Sequence, residues 1–215
     1  DPTQHAMPTP DSTGLSRIWS EQAALFENPA HYNWDMIKHV WHQEWAKHEH
    51  FLSEQDNVFL EKSPPNVLRS HLLAEHFPGA WFLLMIRNPY AVVEGICRRD
   101  GYSLKRAVAH WVRVASRQQK NIAELPRSLF FSYEALCADP NAIANDIRIH
   151  VPGLEDLELG GRIASRTLNG EDKRPLENLN AQQIARLSAD EIQQISTYLK
   201  PYRSLLEAFG YALFD

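Results

Sequence analysis

An α/β fold, with a parallel sheet flanked by helices, is predicted by three features of the chain. The run 80-AWFLLMI-86 is continuously apolar, as a strand covered on both faces would be. A second short run, 58-VFLE-61, precedes it with a helical stretch between them, so strand, helix and strand fit within about 30 residues as a βαβ unit. After two further helical stretches, 128-SLFFSY-133 supplies a third run rich in strand formers.

The elements follow in order. The opening 1-DPTQHAMPTPDSTG-14 has no apolar period and is rich in turn residues, so it reads as loop. From about 15 to 50 the pattern is helical, with Trp34, Ile37, Trp41 and Trp45 on one face as expected core. Ser63 is expected to cap a helix whose first turn holds Pro64 and Pro65, whose apolar face carries Leu68 and Leu72, and which ends at Pro78-Gly79. Asn88 and Pro89 form a cap and first-turn pair for a helix over 89–99, and Ser103 opens a longer one bearing Val108, Trp111, Val112 and Ala115. Later helices are expected at about 140–148 and 189–208, the second announced by the capping box of Ser188 and Glu191. No internal repeat interrupts this order. The expected organisation is one domain over 1–215, with a loop and helical cap over 1–55 and an α/β core over 56–215.

Composition bounds the function. A chain of 215 residues with 44% hydrophobic content is long enough for one substantial core, and no apolar run approaches the roughly 20 residues of a membrane span. Two cysteines, Cys97 and Cys137, make no disulfide framework and no Asn-x-Ser/Thr acceptor occurs, which favours a reducing, cytoplasmic setting. The net charge of −5 is unevenly spread: residues 1–60 carry three Lys/Arg against nine Asp/Glu, and residues 87–127 carry nine against three. A basic middle points to an anionic ligand. Nucleic acid is disfavoured as that anion, because the rest of the chain is acidic and no zinc finger or aromatic RNA platform is present.

Parallel strands joined by right-handed crossovers end on one edge of the sheet, where ligands of open α/β sheets bind. Lys62, Arg87 and the pair Tyr133-Glu134 each follow an expected strand and so are expected to face one crevice. Arg87 also stands at the start of the 89–99 helix, where free backbone N–H groups and the helix dipole favour a phosphate. The plainer alternative is that Lys62 and Arg87 only pair with Glu61, Glu134 or solvent. His39, His42, His48 and His50, with Glu44 and Glu49, read as a polar helix face in preference to a metal site, since they do not share one face and no Cys joins them.

The motifs "EKSPPN", "FPGAWFLLMIRNPYAVVEG" and "LFFSYEALCADP", followed by a terminal "FGY", resemble the sulfotransferases that use 3'-phosphoadenosine-5'-phosphosulfate. The resemblance runs in order from about residue 58 to 140 and more weakly to 211. It implies a fold related to the P-loop nucleoside kinases and transfer of a sulfuryl group from that co-substrate, without a metal, to a hydroxyl or amine on a small-molecule, saccharide or peptide acceptor. It also implies that Arg87 binds the 3'-phosphate, Lys62 reaches the sulfuryl group as the catalytic cation, and Tyr133 approaches the adenine. Glu61, beside Lys62, is a candidate general base. The stretch 162-RIASRTLNGEDKRP-175 occupies the place of the family's basic loop, with Lys173 or Arg174 over the donor.

Two features depart from the family's pattern. Where relatives usually offer a Ser hydroxyl to the 3'-phosphate, eight residues after the Arg, this chain has Gly95, so Arg98 or Arg99 is the expected compensation. No Gly-rich phosphate loop precedes residue 58, which fits either a fragment of a longer enzyme or an altered relative. The fragment is the preferred expectation. Beside the sulfotransferase, two readings remain open from the residues: a kinase-like phosphotransferase and a non-catalytic nucleotide-binding or scaffold module. The acceptor and the oligomeric state are not written in the chain.

Overall fold

A computed structural model describes residues 18–47, 58–160, 162–167 and 170–214. The chain divides into two compact units, residues 1–82 with 112–128 and residues 83–111 with 129–215.

In the first unit, a 3-10 turn over Trp19–Gln22 leads into α1 (Ala23–Glu27), and α2 (Trp34–Ala46) follows a second turn at Pro29–His31. The Asn28 side chain accepts from the Ala30 N–H and the Asn33 side chain from that of Met36, so the turn at Pro29–His31 and α2 each start on an Asn cap. The expected helical segment is therefore present but broken by these caps. Trp34 and Ile37 are buried with Tyr32, Leu72 and Leu73, whereas Trp41 and Trp45 are only half-buried and pack at the margin. Trp34 stacks between Tyr32 at 4.8 Å and His76 at 4.4 Å. Trp19 joins Phe26 and Leu68 in a second cluster. Both tryptophans serve packing.

The expected strand at 58–61 is not formed: residues 58–63 have no regular structure and Leu60 is 81% exposed. A short apolar run becomes a strand only where a neighbour accepts its hydrogen bonds, and here Phe59 stacks on Trp45 at 4.4 Å instead. Helix α3 (Asn66–His76) follows the turn at Pro64-Pro65. Ser63 does not cap it, because its hydroxyl donates to Glu61 Oε1 at 2.6 Å. Polar groups join α3 to the C-terminal half of α5 (Leu104–Glu124): Asn121 Nδ2 donates to the Val67 carbonyl at 2.8 Å, and Arg117 Nη2 to the Leu68 carbonyl at 3.0 Å and to His71 Nδ1 at 2.5 Å.

The second unit is built around β1 (Phe82–Ile86) and β2 (Ser128–Ser132), paired in parallel as the crossover connection requires. Along β1 the burial alternates: Leu84 and Ile86 are buried, while Leu83 and Met85 are exposed. The continuous apolar run is thus covered on one face among the described residues, not two. Helix α4 (Pro89–Asp100) starts on Asn88, whose Oδ1 accepts from the Tyr90 N–H at 3.0 Å, and ends on Gly101 at φ 69°, the left-handed conformation that glycine adopts without strain. Then come α6 (Tyr133–Ala138) and α7 (Pro140–His150), capped by Ser132 and Asp139. The stretch expected as a basic loop forms an antiparallel hairpin, β3 (Arg162–Thr167) with β4 (Gly170–Pro175), in which Ala164 lies opposite Lys173. Short helix α8 (Asn180–Ile184) precedes α9 (Ala189–Leu199), which carries the expected capping box, and α10 (Arg203–Ala208). Among the described residues no helix is long and apolar enough to cross a membrane. Cys97 and Cys137 are free.

Tyr90, fully buried on α4, ties the C-terminal segment to the core: its hydroxyl accepts from the Phe214 N–H at 2.9 Å and lies 2.7 Å from Ser196 Oγ, while its ring stacks on Phe214 at 4.2 Å. Tyr90→Phe keeps the stack but removes the hydroxyl that bonds the Phe214 N–H and Ser196 Oγ, so we expect a loss of about 1 kcal/mol in denaturant unfolding. His71 supplies a pH test. Burial, followed by the charge of Arg117, holds its pKa below the ordinary 6.5 against the opposing pull of Glu27, Glu124 and Glu75. The unfolded chain therefore binds more protons at this site, and the site's contribution to stability falls as pH drops below 6.5. His71→Gln, which retains an acceptor for Arg117, is expected to show less loss of melting temperature than wild type between pH 7 and about 5.

Candidate functional site

The polar centre of the second unit assembles where β1 ends. Arg87 is half-buried, and its guanidinium is held by two neutral amides of α8: Nε donates to Asn180 Oδ1 at 2.8 Å, and Nη2 donates to Gln183 Oε1. A third support is aromatic, for the guanidinium carbon lies 4.1 Å from the centroid of the Tyr133 ring. The main chain is pinned as well, because Trp111 Nε1 on α5 donates to the Arg87 carbonyl at 2.9 Å. A guanidinium has five N–H bonds. Two are used here, and the others have no partner among the described residues.

The nearby carboxylate is occupied elsewhere. Glu134 Oε1 accepts from the Asn88 N–H at 2.9 Å and from Asn180 Nδ2 at 2.5 Å, and Oε2 accepts from the Tyr211 hydroxyl at 2.9 Å. Burial, followed by the hydrogen bond and charge of Glu134, pushes the Tyr211 pKa far above its ordinary value, so this phenol stays a donor. Asn180 therefore stands between acid and base, accepting from Arg87 and donating to Glu134. Among the described residues Arg87 has no ion pair.

Tyr133 has a structural task in this arrangement. Its hydroxyl donates to the Glu177 carbonyl at 2.7 Å and accepts from the Leu179 N–H at 3.3 Å, fixing the segment that leads into α8. Burial foremost raises its pKa, so the hydroxyl remains protonated. The free N–H groups expected at the start of α4 are not free: Asn88 Oδ1 accepts from Tyr90 and Ala91. What remains for an anion at this end is Arg87 and the helix dipole.

Gly95 lies one face of α4 away from solvent, against α8. A Cβ there would stand 3.3 Å from Gln183 Nε2 and 3.2 Å from Arg99 Nη2, so the missing side chain makes room for the amide that holds Arg87. Arg98 is committed to buried Glu94, with Nε to Oε1 at 2.6 Å, and Arg186 approaches the same oxygen at 3.7 Å. Arg99 donates through Nε to the Gly95 carbonyl at 3.0 Å. Lys173 and Arg174 lie on β4, and their side chains fall outside the described residues.

The first unit carries the other expected cation. Lys62 is exposed and its ammonium has no partner among the described residues. Beside it both carboxylate oxygens of Glu61 are taken, Oε1 by the Ser63 hydroxyl at 2.6 Å and Oε2 by Asn66 Nδ2. Asn66 Oδ1 in turn accepts from Arg69 Nε at 2.8 Å. Among the described residues no group of three His, Cys, Asp or Glu side chains is placed to hold a metal; His39 and His42 are exposed on α2, and His48, Glu49 and His50 lie outside the described residues. Arg87, Gly95 and Tyr133 are thus drawn to α8 within one unit. Sequence reasoning did not single out Asn180 and Gln183, which reach Arg87 across separations of 93 and 96 residues.

No curated protein and no solved structure matches this chain. A family model does: that of the sulfotransferase family matches residues 3–155, well over half of the 215. The matched span holds the Lys62 segment, the end of β1 with Arg87, and the Tyr133-Glu134 pair. The chain belongs to the sulfotransferase family, the transferases that move a sulfuryl group.

Proposed function

We propose that the protein takes its sulfuryl group from 3'-phosphoadenosine-5'-phosphosulfate and passes it to a hydroxyl or amine of a small-molecule, saccharide or peptide acceptor. The observation that carries the choice of donor is the state of Arg87. A guanidinium steadied by neutral amides and an aromatic face keeps its full charge, and its remaining N–H groups suit a phosphate dianion. The residues fit the 3'-phosphate end of that donor, since the guanidinium is oriented in advance and Gly95 puts no side chain beside it.

When bound, the donor supplies the transferable sulfuryl group and a phosphate leaving group. Arg87 binds and orients the 3'-phosphate, and Tyr133 limits the freedom of both Arg87 and the α8 segment. The exposed Lys62 ammonium, free of partners among the described residues, provides positive charge for a loose transition state, where charge gathers on the leaving oxygen. Glu61 acts as a positioning residue, because its carboxylate holds Ser63 and Asn66 at the start of α3. Gly95 in place of a hydroxyl donor supports a second reading, a family member that binds the nucleotide without turning it over.

Calorimetric titration with 3'-phosphoadenosine-5'-phosphate tests the donor assignment. Arg87→Ala is expected to weaken binding roughly 100-fold, the scale of losing two charge-assisted hydrogen bonds; equal affinity in variant and wild type rejects the role of Arg87. Turnover separates the two readings. Lys62→Ala is expected to lower kcat by about 10²–10³ with little change in nucleotide affinity, whereas nucleotide binding by a wild-type protein that transfers nothing to any of the three acceptor classes supports the non-catalytic reading.

A further inference from the structure

We propose that Gln183 is a direct ligand of the bound nucleotide: its amide N–H donates to the 3'-phosphate beside Arg87 and takes the place of a donor that position 95 lacks. The inference rests on the donor assignment above and adds a residue to it.

The orientation of the amide follows from chemistry. Arg87 has only donors, so the atom of Gln183 facing Nη2 must be the carbonyl oxygen, and the NH2 group must point away from the guanidinium carbon. That NH2 group has no partner among the described residues, although the side chain is 8% exposed. Nε2 lies 3.3 Å from where a Cβ on residue 95 would stand, so it occupies the neighbourhood of that missing side chain. An anion on the spare N–H groups of Arg87 would therefore meet a second donor from the same pair of residues. Helix α8 is held for this purpose from both ends of the network, by Asn180 Nδ2 on Glu134 and by the Leu179 N–H on Tyr133.

A purely structural role predicts something different. If Gln183 only holds Arg87 in place, a hydroxyl at position 95 does nothing for a variant that has lost the amide. Titrations of the protein with 3'-phosphoadenosine-5'-phosphate and with adenosine 5'-phosphate, which lacks the 3'-phosphate, separate the two roles. We expect Gln183→Ala to weaken binding of the first nucleotide about tenfold, as the loss of a charge-assisted donor requires. Affinity for adenosine 5'-phosphate is expected to stay within about twofold. Adding Gly95→Ser to Gln183→Ala places a hydroxyl in the space vacated by the amide, and most of the lost affinity should return. Unfolding curves that match wild type confirm that each variant folds.

Wild-type affinity for the 3'-phosphate nucleotide in Gln183→Ala, or no recovery when Gly95→Ser is added to it, with loss in Arg87→Ala, overturns the inference and leaves the donor assignment standing. Equal wild-type affinity for the two nucleotides overturns both.

Discussion

The second unit depends on holding one arginine still without pairing it to a carboxylate among the described residues. A half-buried guanidinium normally finds a carboxylate, and a close pair of that kind would neutralise it as an anion receptor. Here the acid nearest in the network, Glu134, is engaged by the Asn88 N–H, Asn180 and the Tyr211 hydroxyl, while Arg87 is given the oxygens of Asn180 and Gln183 and the face of Tyr133. Asn180 makes this separation possible, because a carboxamide can accept from the base and donate to the acid at once.

The surrounding elements are arranged around that requirement. Trp111 holds the Arg87 carbonyl, Tyr133 holds the entry to α8, and Gly95 leaves α4 smooth enough for Gln183 to lie against it. The glycine that departs from the family's usual hydroxyl is therefore accounted for sterically, as the partner of a glutamine supplied from elsewhere in the chain. In the first unit a similar economy applies to Glu61, whose carboxylate fixes the start of α3 and leaves the adjacent Lys62 ammonium without a neutralising partner among the described residues.

Much of this was legible in the residues, and what was hidden has physical reasons. Caps depend on side chains a few positions apart, so Asn88 and the Ser188-Glu191 box mark helix starts where the structure has them. The strands at 82–86 and 128–132 were announced by apolar, β-forming runs. The run at 58–61 carried the same signal without a partner strand, and pairing is not written locally. Continuous apolarity likewise implied cover on both faces of β1, yet Leu83 and Met85 are exposed. The hairpin of β3 and β4 is hidden in the sequence because its strands are polar and show no apolar alternation. Arg87 was found through its place at a strand end. Its amide partners were not, since Asn180 and Gln183 sit on a five-residue helix with no motif of their own.

The most direct test is the position of the 3'-phosphate in a crystal structure with 3'-phosphoadenosine-5'-phosphate. A phosphate oxygen is expected about 2.7–2.9 Å from a guanidinium nitrogen of Arg87, with the bonds to Asn180 and Gln183 intact and no carboxylate drawn in. A nucleotide whose 3'-phosphate contacts neither Arg87 nor α8, or an Arg87 that swings away to pair with Glu134, would contradict it.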